Sequence, residues 1–307
     1  MTDVDTGGGD RLAFAVLTQY RMTTTEQMHR LIAPGVRIEQ TRRCMAKLRS
    51  EGLVDRITLP QAGRLRAWFP TSYGAQIAAE WPELRGRRLP RMVSDPTAAR
   101  LRSGHTLTVT ETALTFIEDA RRIGDLCRPL DWIPEVYHPL GGGEAVIPDA
   151  LMYYARGTTA GDGTMLRAFV EVDRATMGPE RMGAKLGAYA RLHSYIPTPF
   201  AGHRRTVTQG PVQEEWRRHY PLFPRLLFVL DGTGPIGIKT RLDALQGAAK
   251  ASEQPLFFHT VPILTAALAD LRNNGPSAPV WHPILGPDCA WTPLARARRR
   301  PIASALC

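Results

Sequence analysis

From Arg11 to Tyr20, Leu12, Ala15, Val16 and Gln19 recur at helical spacing, which predicts a first helix. Thr23, Thr24 and Thr25 offer N-caps for a second, with Gln27 in capping-box register to Thr24 and Met28, Leu31 and Ile32 as its apolar stripe. Ala33-Pro34-Gly35 breaks it. A third helix runs from about Ile38 to Ser50, with Thr41, Cys44, Met45 and Leu48 on one face and Glu39, Arg42, Arg43 and Lys47 turned away, and Gly52 closes it. The period then falls to two. Leu53 to Leu59 alternates, Pro60 to Gly63 turns and Arg64 to Phe69 returns, giving a β-hairpin with Arg64 and Arg66 near its tip. Thr71-Ser72-Tyr73-Gly74 leads into a short helix through Ala79.

Helix, helix, basic helix, hairpin, helix is the order of a winged helix-turn-helix, in which the third helix enters the major groove and the wing straddles the backbone. The pattern divides the chain into a tail (1–10), this winged module (11–80), a Pro-, Gly- and Arg-rich linker (81–103), a second domain (104–285) and a basic C-terminal tail (286–307). In the second domain Thr106 to Leu126 reads as a helix. Strands are predicted at Trp132 to His138, Val146 to Tyr154, Leu166 to Asp173, Arg225 to Leu230 and Leu256 to Val261, and helices at Pro179 to Tyr195 and Thr240 to Ala251. The fold class expected is α+β with two domains.

Charge sharpens the picture by its position. The chain carries a formal net charge of +10, and between Arg11 and Arg102 there are 17 Arg or Lys against 7 Asp or Glu, which accounts for all of it. Cations clustered in this way gain free energy by displacing the counterions condensed on nucleic acid. Double-stranded DNA is the expected partner, with Arg42, Arg43, Lys47, Arg64 and Arg66 as its contacts, mainly to phosphate. The four cysteines are scattered and form no C-x-x-C pair, so neither a zinc cluster nor a disulfide framework is suggested. The Gly-rich acidic start lacks an apolar core of the signal-peptide kind, and no stretch reads as membrane-spanning. A cytoplasmic location is expected, with no membrane partner.

The candidate chemistry lies in the second domain. Asp149 opens one strand and Glu171-Val172-Asp173 closes the next, so in an antiparallel hairpin these ends lie side by side. Glu171 and Asp173 share a face while Val172 points into the core. Convergence of Asp149, Glu171 and Asp173 would need a cation, and an oxygen-rich set suits Mg²⁺ or Mn²⁺. Lys185 stands at the edge of the next helix's apolar stripe, placed to orient or deprotonate a water attacking phosphorus, and Glu111 or Glu118 would add a further carboxylate. Asp149 reads equally as a turn residue after proline, and Glu171 and Asp173 as partners of a structural salt bridge with Arg174 or Lys185. His105 reads as a packing or linker-docking residue.

Pro148-Asp149 followed by Glu171-x-Asp173, in this order of elements, resembles the PD-(D/E)xK nuclease-like superfamily, the restriction-endonuclease-like fold. The chain as a whole resembles the actinobacterial replication-relaxation family of plasmids and integrated mobile elements. The resemblance rests on Arg21-Met22-Thr23-Thr24-Thr25-Glu26-Gln27, Leu48-Arg49-Ser50-Glu51-Gly52-Leu53-Val54, Thr71-Ser72-Tyr73-Gly74, His105-Thr106-Leu107, Pro148-Asp149-Ala150-Leu151, Phe169-Val170-Glu171-Val172-Asp173-Arg174 and Lys185-Leu186-x-x-Tyr189-x-Arg191-Leu192. It covers roughly residues 10 to 200. It implies a DNA-binding protein of replication or relaxation, with other plasmid replication or transfer proteins as partners, and a metal-dependent endonuclease if the second domain is active. The nuclease pattern has lysine where Asp173 stands, so the lysine role passes to Lys185 on the neighbouring helix. The rival reading is a winged-helix transcriptional regulator whose second domain is an inactive dimerisation or sensing module, which leaves a homodimer open.

Overall fold

The structure is a computed structural model that describes residues 8–59, 65–84, 96–157, 165–176, 178–197 and 213–285. The N-terminal part begins with α1 (Gly8–Tyr20), β1 (Thr23–Thr24), α2 (Thr25–Ile32) and α3 (Ile38–Ser50). It continues with β2 (Val54–Leu59), β3 (Leu65–Pro70) and α4 (Ser72–Ala79). Local chemistry explains these boundaries. The Thr24 hydroxyl accepts the Gln27 amide while the Gln27 side chain accepts the Thr24 amide, closing a capping box at α2. Gly52, at φ +73°, turns the chain out of α3 in the left-handed region that favours glycine. β2 and β3 pair antiparallel with Val54 opposite Pro70, and β1 adds to β3 on its other edge.

The second part opens with α5 (Pro96–Ile123). This helix starts inside the stretch expected as linker and ten residues before Thr106, because Pro96 fits the first turn of a helix, where its missing N–H is not needed. There follow β4 (Trp132–Pro134), β5 (His138–Gly141), β6 (Glu144–Val146), β7 (Ala150–Ala155), β8 (Met165–Asp173) and α6 (Pro179–Ser194). The remaining elements are β9 (Arg225–Leu230), α7 (Pro235–Lys250), α8 (Pro255–Thr260), β10 (Ile263–Ala267), α9 (Leu268–Asn274) and β11 (His282–Pro283). The strand expected at Leu256 to Val261 is instead α8. Pro255 takes the first helical position and Pro262 stops the turn, so the strand begins at Ile263, where it pairs parallel with β9. Trp132 to His138 and Val146 to Tyr154 each divide in two, with β5 and β6 forming a separate hairpin turned by Gly141, Gly142 and Gly143, all at positive φ.

Among the described residues the main sheet runs in the order β11-β10-β9-β8-β7-β4, antiparallel at both edges and parallel through β8, β9 and β10. Alternation along the central strands buries both faces. Leu227 and Val229 join the core under α5 and α9, whereas Leu226, Phe228 and Leu230 pack under α6, α7 and α8. The α5 core also contains Phe14, Leu17, Met28 and Leu48, so the N-terminal helices and the sheet share one apolar interior. The end of α1 fastens the edge of the sheet: the Gln19 amide donates to the Leu130 and Trp132 carbonyls, and the Tyr20 hydroxyl to that of Pro129 at 2.9 Å.

Candidate functional site

The basic surface is built by α3 and the hairpin. Thr41, Met45 and Leu48 are buried against α1, α2 and β2, which turns Arg42, Arg43 and Lys47 outward. Arg42 pairs with Glu39 at 3.1 Å and Lys47 with Asp10 at 2.8 Å, while Arg43 meets no carboxylate among the described residues. Arg66 is exposed on β3, and Arg64 lies outside the described residues. Arg56 belongs with them, although the basic pattern of α3 and the hairpin tip does not single it out. Arg56 faces Trp68 and Thr58 faces Arg66 across the ladder, so both arginines lie on one face of the hairpin, with the Arg56 guanidinium 5.4 Å from the Trp68 ring. Slight burial and the charges of Arg66 and Arg49 lower its proton affinity, the mark of a crowded cationic surface. The period-two alternation of β2 and β3 is the signal that could have found it.

The acidic site forms where β7 begins and β8 ends. Ala150 faces Val170 in the antiparallel ladder, and the step beyond brings Asp149 to Glu171 and Val172. One Asp149 oxygen accepts the Val172 amide at 2.7 Å, and the other accepts His105 Nε2 from α5 at 3.0 Å. Glu171 is 4% exposed. It accepts the Tyr189 hydroxyl at 2.6 Å and the Lys185 ammonium, both from α6. Lys185 thus reaches Glu171 from α6, the helix that follows β8. His105 and Tyr189 complete the site. Sequence spacing assigns neither to it, since it does not show which helix faces a strand end.

Electrostatics set the two carboxyls apart. Burial and the neighbouring Asp149 charge push Glu171 up to about 7, against the opposing pull of Lys185 and Tyr189. Burial also raises Asp149, but the His105 hydrogen bond, the Lys185 charge and the Val172 amide bring it below the ordinary range. Burial lowers Lys185, and the charges of Glu171 and Asp149 more than restore it, so it stays protonated. One carboxylate is firmly ionised, one is poised near neutrality, and an ammonium sits beside both. Such a divergence of paired carboxyls is frequent at sites that handle protons or cations.

Two expected ligands stand elsewhere. Asp173 does share the Glu171 face, but its carboxylate is taken by Arg241 from α7 and by the Ala175 amide at 3.0 Å. Glu111 accepts Arg30 at 3.0 Å and Gln27 at 3.0 Å, and Arg272 lies 3.5 Å away. It is six residues beyond His105, which displaces it by about 9 Å along α5 and about 240° around it. Glu118 likewise binds Arg30, at 2.7 Å. The three-carboxylate convergence is thus reduced to the Asp149 and Glu171 pair. Both carboxylates of this pair also carry partners, Val172 and His105 on Asp149 and Lys185 and Tyr189 on Glu171, so Mg²⁺ or Mn²⁺, commonly held by one or two carboxylates, would have to displace some of them to bind here.

The model of the replication-relaxation family matches residues 14–217, which include the basic helix, the hairpin and the whole acidic site, and the chain belongs to that family. Curated proteins provide no match. Two alanine-substituted forms of Lactococcus lactis ZitR overlap it at 13% identity and a TM-score of 0.23, covering 40% and 39% of this chain and 70% and 69% of theirs. That overlap is too small to bear on the fold. Among the described residues no helix is long and apolar enough to cross a membrane.

Proposed function

We propose that the protein binds duplex DNA through α3 and the β2–β3 hairpin in the manner of a winged helix, and acts in replication or relaxation of a plasmid or integrated element. In the same reading the second part is a PD-(D/E)xK-like phosphodiester site. The observation that carries the site is the Lys185 ammonium on Glu171 beside Asp149, which supplies the lysine that Asp173 lacks.

Asp149 and Glu171 would hold Mg²⁺ or Mn²⁺, and Lys185 would turn from Glu171 toward the scissile phosphate. When bound, the ion would neutralise charge developing on that phosphate. His105 keeps Asp149 oriented and ionised. Arg43, Arg56 and Arg66 would meet the backbone of the bound duplex.

The test is supercoiled plasmid incubated with the protein and Mg²⁺ or Mn²⁺, beside Asp149→Ala and Glu171→Ala. Nicking that disappears in both variants supports the site. Absence of cleavage together with absence of metal binding by calorimetry removes the nuclease part and leaves the DNA-binding part, which is measured separately by duplex affinity of Arg43→Ala combined with Arg66→Ala.

A further inference from the structure

α5 joins the hairpin, on the face opposite Arg56 and Arg66, to the acidic pair within one helical turn. Leu107 packs with Ile57, Ala67 and Phe69 in the small core beneath the hairpin. Two residues earlier, His105 reaches Asp149. Positions two apart point about 200° from one another, so the hairpin and the acidic pair flank the same piece of helix, about 10 Å across. That is about three base-pair steps of duplex.

The turn before this junction carries charge that no carboxylate among the described residues neutralises. Arg100 and Arg102 are exposed, and neither pairs with a carboxylate among the described residues. Arg102 precedes His105 by three positions and shares its face of α5. Arg100 precedes Gly104 by four, and the Arg174 guanidinium from the end of β8 lies against Gly104, where a β-carbon would overlap it. The Arg174 Nε is buried without a hydrogen-bond partner among the described residues. Elsewhere the protein does supply counter-charges, as for Arg11 with Glu83 and Arg49 with Asp55. Cations with no paired acid of their own repel one another, and a polyanion removes that cost.

We infer that Arg100 and Arg174 on the hairpin side of α5, and Arg102 about 200° round on the acidic side, are phosphate contacts on the two flanks of this exposed turn, so that one duplex lies over α5 between the hairpin and the Asp149 and Glu171 pair. This rests on the reading that α3 and the hairpin bind duplex DNA. It adds that the acidic pair acts inside the bound segment and not at a distance from it.

The experiment is fluorescence anisotropy of a labelled mixed-sequence duplex of about 30 base pairs, three helical turns, titrated with the full chain across a salt series. Each cation withdrawn from a phosphate lowers the slope of log K against log salt by about 0.9. Arg100→Ala combined with Arg102→Ala should flatten the slope by about 1 to 2 and weaken binding about tenfold near physiological salt. Arg217→Ala combined with Arg218→Ala, where Glu214 and Glu215 already answer both charges, should leave it unchanged. An unchanged slope in the Arg100 and Arg102 variant, with a flatter one in Arg43→Ala plus Arg66→Ala, overturns the α5 contacts and leaves the α3 surface intact. An equal loss in the Arg217 and Arg218 control also overturns it. The reverse pattern, loss only through Arg100 and Arg102, overturns the shared duplex together with the α3 reading, and absence of binding by the unmodified chain overturns both.

Discussion

Lys185 reaches back from α6 to donate to Glu171 on β8, placing an ammonium against a carboxyl that is almost wholly buried. Removing one partner of such a pair strands the other in a poor solvent, whereas removing both can be nearly neutral. Lys185→Met should therefore lower stability by about 1 to 2 kcal/mol at pH 8, since Lys185 is partly exposed and Glu171 can take up a proton, and Lys185→Met combined with Glu171→Gln should recover most of it. The loss should shrink toward pH 5, because Glu171, already raised to about 7, is then protonated in the folded chain. Urea unfolding of the four-member cycle measures this, and additive losses at pH 8 would show that the two groups do not interact.

His138 offers a pH test away from the site. It is 3% exposed, faces the Tyr220 hydroxyl at 2.8 Å and packs edge-on to Phe169. Burial pushes its imidazole down to about 4. In the unfolded chain it takes up a proton as pH falls through about 6.5, while the folded chain resists until about 4. Its contribution to stability is therefore present above pH 6.5 and lost as pH falls toward 4, by up to about 3 kcal/mol. His138→Gln should flatten that part of the stability profile, and an unflattened profile would mean that the folded imidazole is already charged there.

What the sequence makes legible is what short-range chemistry decides. The Thr24 and Gln27 box, the left-handed Gly52 and the change of period at Leu53 fix α2, α3 and the hairpin from neighbours a few residues apart. Asp149 and Glu171 meet because a hairpin leaves little choice of register. The partners of Glu111 and Asp173 are not legible, since they depend on how helices rotate against the sheet: Arg241 lies 68 positions from Asp173, and Arg30 lies 81 from Glu111. The strand reading of Leu256 to Val261 fails for a different reason. A short apolar run fits strand and helix alike, and only the prolines at each end decide.

Close packing of α4 on the α3–β2 turn gives a stability test of the N-terminal unit. A β-carbon at Gly74 would overlap the Leu53 carbonyl oxygen and press on the Phe14 ring. That carbonyl also accepts the Thr71 amide at 3.0 Å, so it is not free to move. Gly74→Ala should cost about 2 kcal/mol or more despite the better helix propensity of alanine. The comparison is thermal unfolding beside Gly187→Ala, where a β-carbon meets nothing within 4 Å. Equal melting temperatures would contradict the packing.

Asp173 separates a structural from a catalytic use of the same residue type. It shares a strand face with Glu171, which would make it a third ligand, yet its side chain and that of Arg241 are each 9% exposed and joined to one another. If the pair is structural, Asp173→Asn should lower stability by about 2 to 3 kcal/mol through the unneutralised guanidinium. Plasmid nicking per folded molecule, if the nuclease reading holds, should then persist, while Asp149→Asn abolishes it. Urea midpoints and single-turnover nicking, measured on the same samples below the onset of unfolding, give both readouts. Loss of nicking with unchanged stability would return Asp173 to the ligand set. Asp173→Lys, which would rebuild the nuclease pattern on the strand, should fail to restore anything. It sets a second buried cation against Arg241, and like charges at that depth are not tolerated without a counter-ion.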